Sequence, residues 1–220
     1  MDRTNKQQAK ILAIFMVLAT IYFIPKATLI QILPATMAKY RIIGPLLTLT
    51  LASIFMAPCQ IALAMGFSLV GDFMGAYGSF IGQMGFFALA HVMLISYFTC
   101  RLMSMRNNGK LWLKTIPTAI IVLALLTFAL AYIIPNAPAG IIRTGCVVYA
   151  ILICSMFGLA TLQKKVLFTI GAGLFLFSDM ILSWNKFTSP VENSRWWIMI
   201  PYYGGQLLLW IQAAKLKVTR

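Results

Sequence analysis

The chain has 220 residues, 61% of them hydrophobic and only 10% charged, with a mean hydropathy of +0.88. Soluble globular domains are about 45–50% apolar and about 25% charged, so this composition excludes one. The formal charge of +14 arises from 18 Lys and Arg against four acids; these cations lie between apolar runs, where they anchor loops at phospholipid head groups, and no nucleic-acid partner is expected.

The apolar runs are continuous and do not alternate every second residue, which points to membrane helices, not a barrel. They predict an all-α, polytopic transmembrane bundle of about eight helices forming a single integral membrane domain over residues 1–220. The spans are expected near 7–24, 42–57, 59–75, 79–100, 113–134, 140–161, 165–184 and 196–214. The basic start MDRTNKQQAK ahead of Ile11–Ile24 imitates a signal peptide, but no A-x-A site follows, so a retained first helix is expected. Pro34 interrupts the stretch from Pro25 to Arg41, which reads as a loop with an interfacial or re-entrant piece. A turn at Pro58 divides the second span from the third.

With the N-terminus inside, twelve of the 18 Lys and Arg fall on the inner side, against six outside: Lys26, Lys39, Arg41, Arg143, Lys186 and Arg195. This bias places both termini on the cytoplasmic side. Trp112, Trp184, Trp196 and Trp197 mark run ends, where indoles sit at head-group level. Cys59, Cys100, Cys146 and Cys154 form no C-x-x-C pair and read as small apolar residues.

Of the four acids, Asp2 is in the tail and Glu192 in a polar loop, so only Asp72 and Asp179 lie within apolar runs. A carboxylate at membrane depth costs several kcal/mol unless it is protonated, paired or facing water, which makes an intramembrane acid a functional candidate. The third and seventh helices both run outward and carry these acids late, so the pair shares the outer half of the membrane. The eighth helix starts on that side with Tyr202, Tyr203 and Gln206, of which Tyr202 and Gln206 are i,i+4 on one face. Gln83, Phe87 and His91 form one stripe on the fourth helix, with His91 about 18 Å along it, near mid-depth. A polar cavity between helices is therefore expected. Two carboxyls there, one protonated and one ionised, suit acid-catalysed hydrolysis through a cationic intermediate.

His91 is the only histidine, which excludes a three-His zinc hydrolase and gives that residue a supporting role; neither metal nor cofactor is expected. Ser68 and Ser178 neighbour the acids without a G-x-S-x-G elbow, so serine catalysis has no positive support.

These residues resemble the YhhN family of lysoplasmalogenase-like integral membrane proteins, from about Pro45 to Gln206. In GLFLFSDMILSWNKF, Ser178-Asp179, Leu182 and Asn185-Lys186-Phe187 resemble the family's S-D-x-x-L-x-x-N-x-F segment, and in GFSLVGDFMG, Ser68 and Gly71-Asp72 resemble its S-x-x-G-D motif. Phe87 with Ala90-His91 resembles F-x-x-A-H, Tyr149 and Met156 the sixth-helix Y…M pattern, and Tyr202-Tyr203 with Gln206 the last-helix Y-x-x-Q. Five motifs in order on eight helices are specific, although each alone is weak. One departure stands out: Gly44-Pro45 occupies the place where the family commonly has Lys-Pro, leaving Lys39, Arg41 or Lys26 as substitute cations.

The resemblance implies hydrolysis of the vinyl-ether bond of lysoplasmalogens to a fatty aldehyde and a glycerophospho head group. It implies Asp72 and Asp179 as the catalytic pair, with His91, Tyr149, Ser178, Asn185, Tyr202, Tyr203 and Gln206 supporting or binding substrate. The implied partners are a lysophospholipid with a vinyl-ether chain and the membrane lipids. The implied address is the cytoplasmic membrane of a bacterium or an internal membrane of a eukaryote. The sequence leaves open the head group and which aspartate is the acid. A proton- or cation-coupled transporter using the same aspartates is the alternative, disfavoured because the two halves show no repeat. A noncatalytic lipid-binding scaffold ranks behind both.

Overall fold

A computed structural model describes residues 3–25, 28, 34–105 and 112–218, with no strand among them. Among the described residues, eight long helices make the fold: α1 (Arg3–Phe23), α2 (Ile43–Met56), α3 (Cys59–Tyr77), α4 (Phe80–Ser104), α5 (Trp112–Phe128), α6 (Ile141–Leu162), α7 (Val166–Phe187) and α8 (Ser194–Val218). Beyond Phe128, α5 continues as a π-helical turn (Ala129–Ile133) and a 3-10 turn (Ile134–Asn136). Among the described residues, five helical stretches are long and apolar enough to cross a membrane: α3, α4, α5 with its extension from Thr115 to Asn136, α6 and α7. The chain is thus an all-helical membrane protein.

Short joints force neighbouring helices to run antiparallel. Gly78, at φ +102°, closes α3 in a left-handed conformation open to glycine, and its amide and that of Ser79 both donate to the Met74 carbonyl. Ser79 then caps α4 by accepting from the Gly82 amide at 3.2 Å. Ala57 is extended ahead of Pro58, which opens α3. Of the stretch expected as a loop with a re-entrant piece, the described part holds a short helix (Ala35–Ala38) and a 3-10 turn (Lys39–Ile42) that feeds α2. Lys26 on the outer side, and Arg106, Lys110 and Arg220 among the twelve inner-side cations, lie outside the described residues.

The most extensive pairings are α7 with α8 and α3 with α4, followed by α4 with α6 and α2 with α3. Small residues set the first of these: a Cβ on Gly205 would lie 2.7 Å from the Gly171 carbonyl oxygen and 3.0 Å from the Phe175 amide nitrogen. Backbones can approach this closely only where both helices lack side chains, the usual device of membrane helix pairs. Around this contact the core is apolar and tightly filled, with Met65, Phe98, Phe168, Phe175 and Trp210 fully buried.

Candidate active site

The alternation of helix direction brings the C-terminal ends of α1, α3 and α7 to the same end of the bundle as the N-terminal ends of α2, α4 and α8. Residues from all six helices, or from the turns leading into them, line one chamber of about 580 Å³, well within the range of small-molecule sites. Asp72, 2% exposed, and Asp179, 9% exposed, both face it.

Two polar rungs tie α8 to α3. Tyr202 Oη donates to Asp72 Oδ2 at 2.9 Å, and Gln206 Nε2 donates to Ser68 Oγ at 3.0 Å. The i,i+4 step of one helix thereby matches the i,i+4 step of the other. Phe87 stands edge-on to Tyr202 and to Phe175, with centroids 5.7 and 6.1 Å apart, so apolar rings fix the direction of the Asp72 carboxyl.

On the other side of the chamber, Tyr149 of α6 donates to Asp179 Oδ2. His91 Nε2 lies 3.1 Å from the same phenolic oxygen and 3.8 Å from Asp179 Oδ2. A phenol has one proton, and here it goes to the carboxylate, so His91 Nε2 carries the hydrogen that meets Tyr149 Oη. His91 Nδ1 is buried with no hydrogen-bond partner among the described residues. The result is a directed relay from His91 through Tyr149 to Asp179. Tyr149→Phe would strip both His91 and Asp179 of this partner, and is expected to lower stability by about 1–3 kcal/mol. Thermal unfolding in detergent, with His91→Phe as a companion, measures that loss.

Ser178 lines the chamber beside Asp179, its Oγ buried with no hydrogen-bond partner among the described residues. Two residues expected to support the site or bind substrate make structural contacts outside the chamber. Asn185 Oδ1 accepts the Val191 amide at 2.8 Å and orders the joint between α7 and α8. Tyr203 Oη donates to the Ile42 carbonyl at 3.0 Å, and its ring meets Phe15 and Tyr22 edge-on, fastening α8 to α1 and α2. Neither residue lines the chamber.

The mouth is basic. Lys39, Arg41 and Arg195 line it, with the two guanidiniums 5.5 and 4.6 Å from the Tyr22 ring centroid. Burial, and then the neighbouring Arg195 charge, push Arg41 below the usual guanidinium range. Among the described residues no three His, Cys, Asp or Glu side chains gather as a metal site requires.

A second space opens from the chamber wall. This narrow cleft, of about 70 Å³, runs between α4, α5, α6 and α7 and is lined by apolar side chains such as Met84, Leu125, Ile153 and Leu176. It shares Gln83, Phe87, Asp179 and Leu182 with the chamber. Asp179 therefore stands where the chamber that carries the charged side chains meets a narrower, more apolar space.

The pattern of the YhhN family matches residues 35–213, which is most of the chain. The chain belongs to the YhhN family. No curated protein and no solved structure matches it. In this YhhN protein the five sequence motifs do not all meet at one point. Asp72, Asp179, Ser178 and Tyr202 line the chamber, whereas His91, Tyr149 and Gln206 stand behind it as hydrogen-bonding support. Tyr22 and Arg195 were not expected in the site. Arg195 read as an outer-side anchor, and only its place at the start of α8, seven residues before Tyr202, could have linked it to the chamber.

Proposed function

We propose that this YhhN protein hydrolyses the vinyl-ether bond of lysoplasmalogens, releasing a fatty aldehyde and a glycerophospho head group. The observation that carries the reading is Asp179 at the wall between the chamber and the narrower, more apolar cleft, with Asp72 across the chamber. A lysoplasmalogen is a single-chain amphiphile whose vinyl ether lies at the junction of chain and head group. With the chain in the cleft and the glycerol in the chamber, the labile bond falls beside the carboxyls.

Vinyl ethers hydrolyse by proton transfer to the β-carbon of the double bond, two bonds from oxygen. That step yields an oxocarbenium ion, water adds to the carbon attached to oxygen, and the hemiacetal collapses to aldehyde and alcohol. One carboxyl supplies the proton, while the other stabilises the cation and takes a proton from the water. The pair acts as a unit. Tyr149 and Tyr202 hold the two carboxyls by one hydrogen bond each, which fixes them before substrate arrives. With both termini cytoplasmic, the chamber opens towards the outer face of the membrane. No observation favours the transport alternative, and the chamber lies at one end of the bundle.

The test is mass-spectrometric detection of fatty aldehyde from purified, detergent-solubilised protein given a lysoplasmalogen, with the ester-linked lysolipid as control. In D2O the aldehyde is expected to carry a single deuterium on the carbon next to the carbonyl, because the transferred proton comes from solvent-exchanged carboxyl. An unlabelled aldehyde would rule out carbon protonation. No aldehyde from folded protein would sink the hydrolase reading.

A further inference from the structure

Arg41 precedes α2 and Arg195 opens α8, more than 150 residues apart in the chain, yet both guanidiniums come to one tyrosine ring at the chamber mouth. Bringing two like charges together is unfavourable unless something compensates. No carboxylate does so: among the described residues the only charge pair within 4.0 Å is His91 with Asp179. Glu192, three residues before Arg195, is exposed and makes no ion pair with it. Part of the compensation comes from the end of α1, where Arg41 Nη1 donates to the Ile24 carbonyl at 2.8 Å and Arg195 Nη2 donates to the Tyr22 carbonyl. Each of these bonds uses one of five guanidinium donors. Lys39, close over the Tyr40 ring, adds a third cation to the same mouth. The site thus presents planar, forked donors and net positive charge above a chamber that leads to the carboxyls.

We propose that Arg41 and Arg195 form a phosphate subsite, which holds the phosphodiester of a lysophospholipid head group while the chain passes Asp179 into the apolar cleft. This rests on the reading of the chamber as a lipid site and names its anchoring group. Two guanidiniums facing one tetrahedral anion match phosphate geometry better than ammonium groups do. The subsite also lies at the place where this chain lacks the family's usual Lys-Pro, with Gly44-Pro45 a single turn beyond Arg41.

The test is equilibrium binding to the full-length protein in detergent, with uncleavable probes. One is a 1-O-alkyl-glycerophosphocholine, whose saturated ether cannot be protonated to an oxocarbenium ion; the other is the 1-O-alkylglycerol of equal chain length, which lacks phosphate. Wild type is expected to bind the phosphate lipid roughly ten- to hundredfold tighter than the alkylglycerol. Arg41→Gln and Arg195→Gln are each expected to erase most of that preference and leave alkylglycerol binding unchanged. Arg41→Lys and Arg195→Lys, which keep the charge and the hold on α1, are expected to fall between. If the variants bind both probes as wild type does, or weaken both equally, the arginines serve only to fasten α1 and the proposal fails. Competition by inorganic phosphate as strong as by the phosphate lipid would make free phosphate the ligand and overturn the lipid assignment. A preserved preference with no aldehyde from lysoplasmalogen would reject the hydrolase reading and leave this subsite standing.

Discussion

Asp179→Asn and Asp72→Asn are each expected to lower aldehyde release by roughly 10²–10⁴-fold, the range that a positioned acid or base contributes. The amide keeps the shape of the carboxyl and still accepts from Tyr149 or Tyr202, so the hydrogen bonds that fasten the helices persist. What it lacks is a transferable proton and a negative charge. The double variant should be little worse than either single one, because groups acting on one transition state fail together. Turnover by quantitative mass spectrometry, beside thermal unfolding of each variant, checks this; wild-type turnover in a folded variant would remove that aspartate from the chemistry.

Gly205→Leu is expected to destabilise the bundle by roughly 3 kcal/mol or more, and Gly205→Ala by about 1–3 kcal/mol. The atoms an added Cβ would meet are backbone, 2.7 Å away at Gly171 and 3.0 Å at Phe175, and neither can swing aside as a side-chain end would. Relief requires α7 and α8 to separate. Phe175 is one turn before Asp179 on the same helix, so that separation also shifts the carboxyl relative to Tyr202. The neighbouring Gly204 is the control. Its added Cβ would meet only Leu174 at 3.5 Å, an ordinary contact, and Gly204→Ala should leave the melting temperature in detergent unchanged or slightly raised.

The helices were legible in the sequence because membrane helices announce themselves by uninterrupted apolar runs, and Pro, Gly and polar clusters mark their ends. The span expected to end near 134 already takes in most of the extension of α5, but the change of helix type within it was not legible. Residues 129–136 continue the apolar run, and the change to π and 3-10 turns leaves no compositional trace beyond Pro135. Asp72 and Asp179 were conspicuous because carboxyls at membrane depth are rare and expensive. The i,i+4 pairing of Tyr202 with Gln206 showed a shared face, and that face meets Asp72 and Ser68.

Polar residues at helix ends were harder to sort. Asn185 and Tyr203 lie in the same motifs as chamber residues, yet one orders a joint and the other binds a backbone carbonyl. Motif membership does not separate a group that touches a ligand from one that holds the scaffold. Arg41 and Arg195 posed the opposite difficulty. A cation beside an apolar run has the signature of an interfacial anchor, and only the fold reveals two of them over one ring.

The wall shared by the chamber and the cleft has a thermodynamic consequence. A bond broken there leaves its two fragments in different solvents: the aldehyde is miscible with hydrocarbon, and the charged glycerophospho compound with water. Recombination would need both to return to one point from separate phases. The aldehyde's hold on the hydrocarbon phase grows by about 0.8 kcal/mol for each methylene, so longer chains would keep the fragments apart more firmly, independently of anything the carboxyls do.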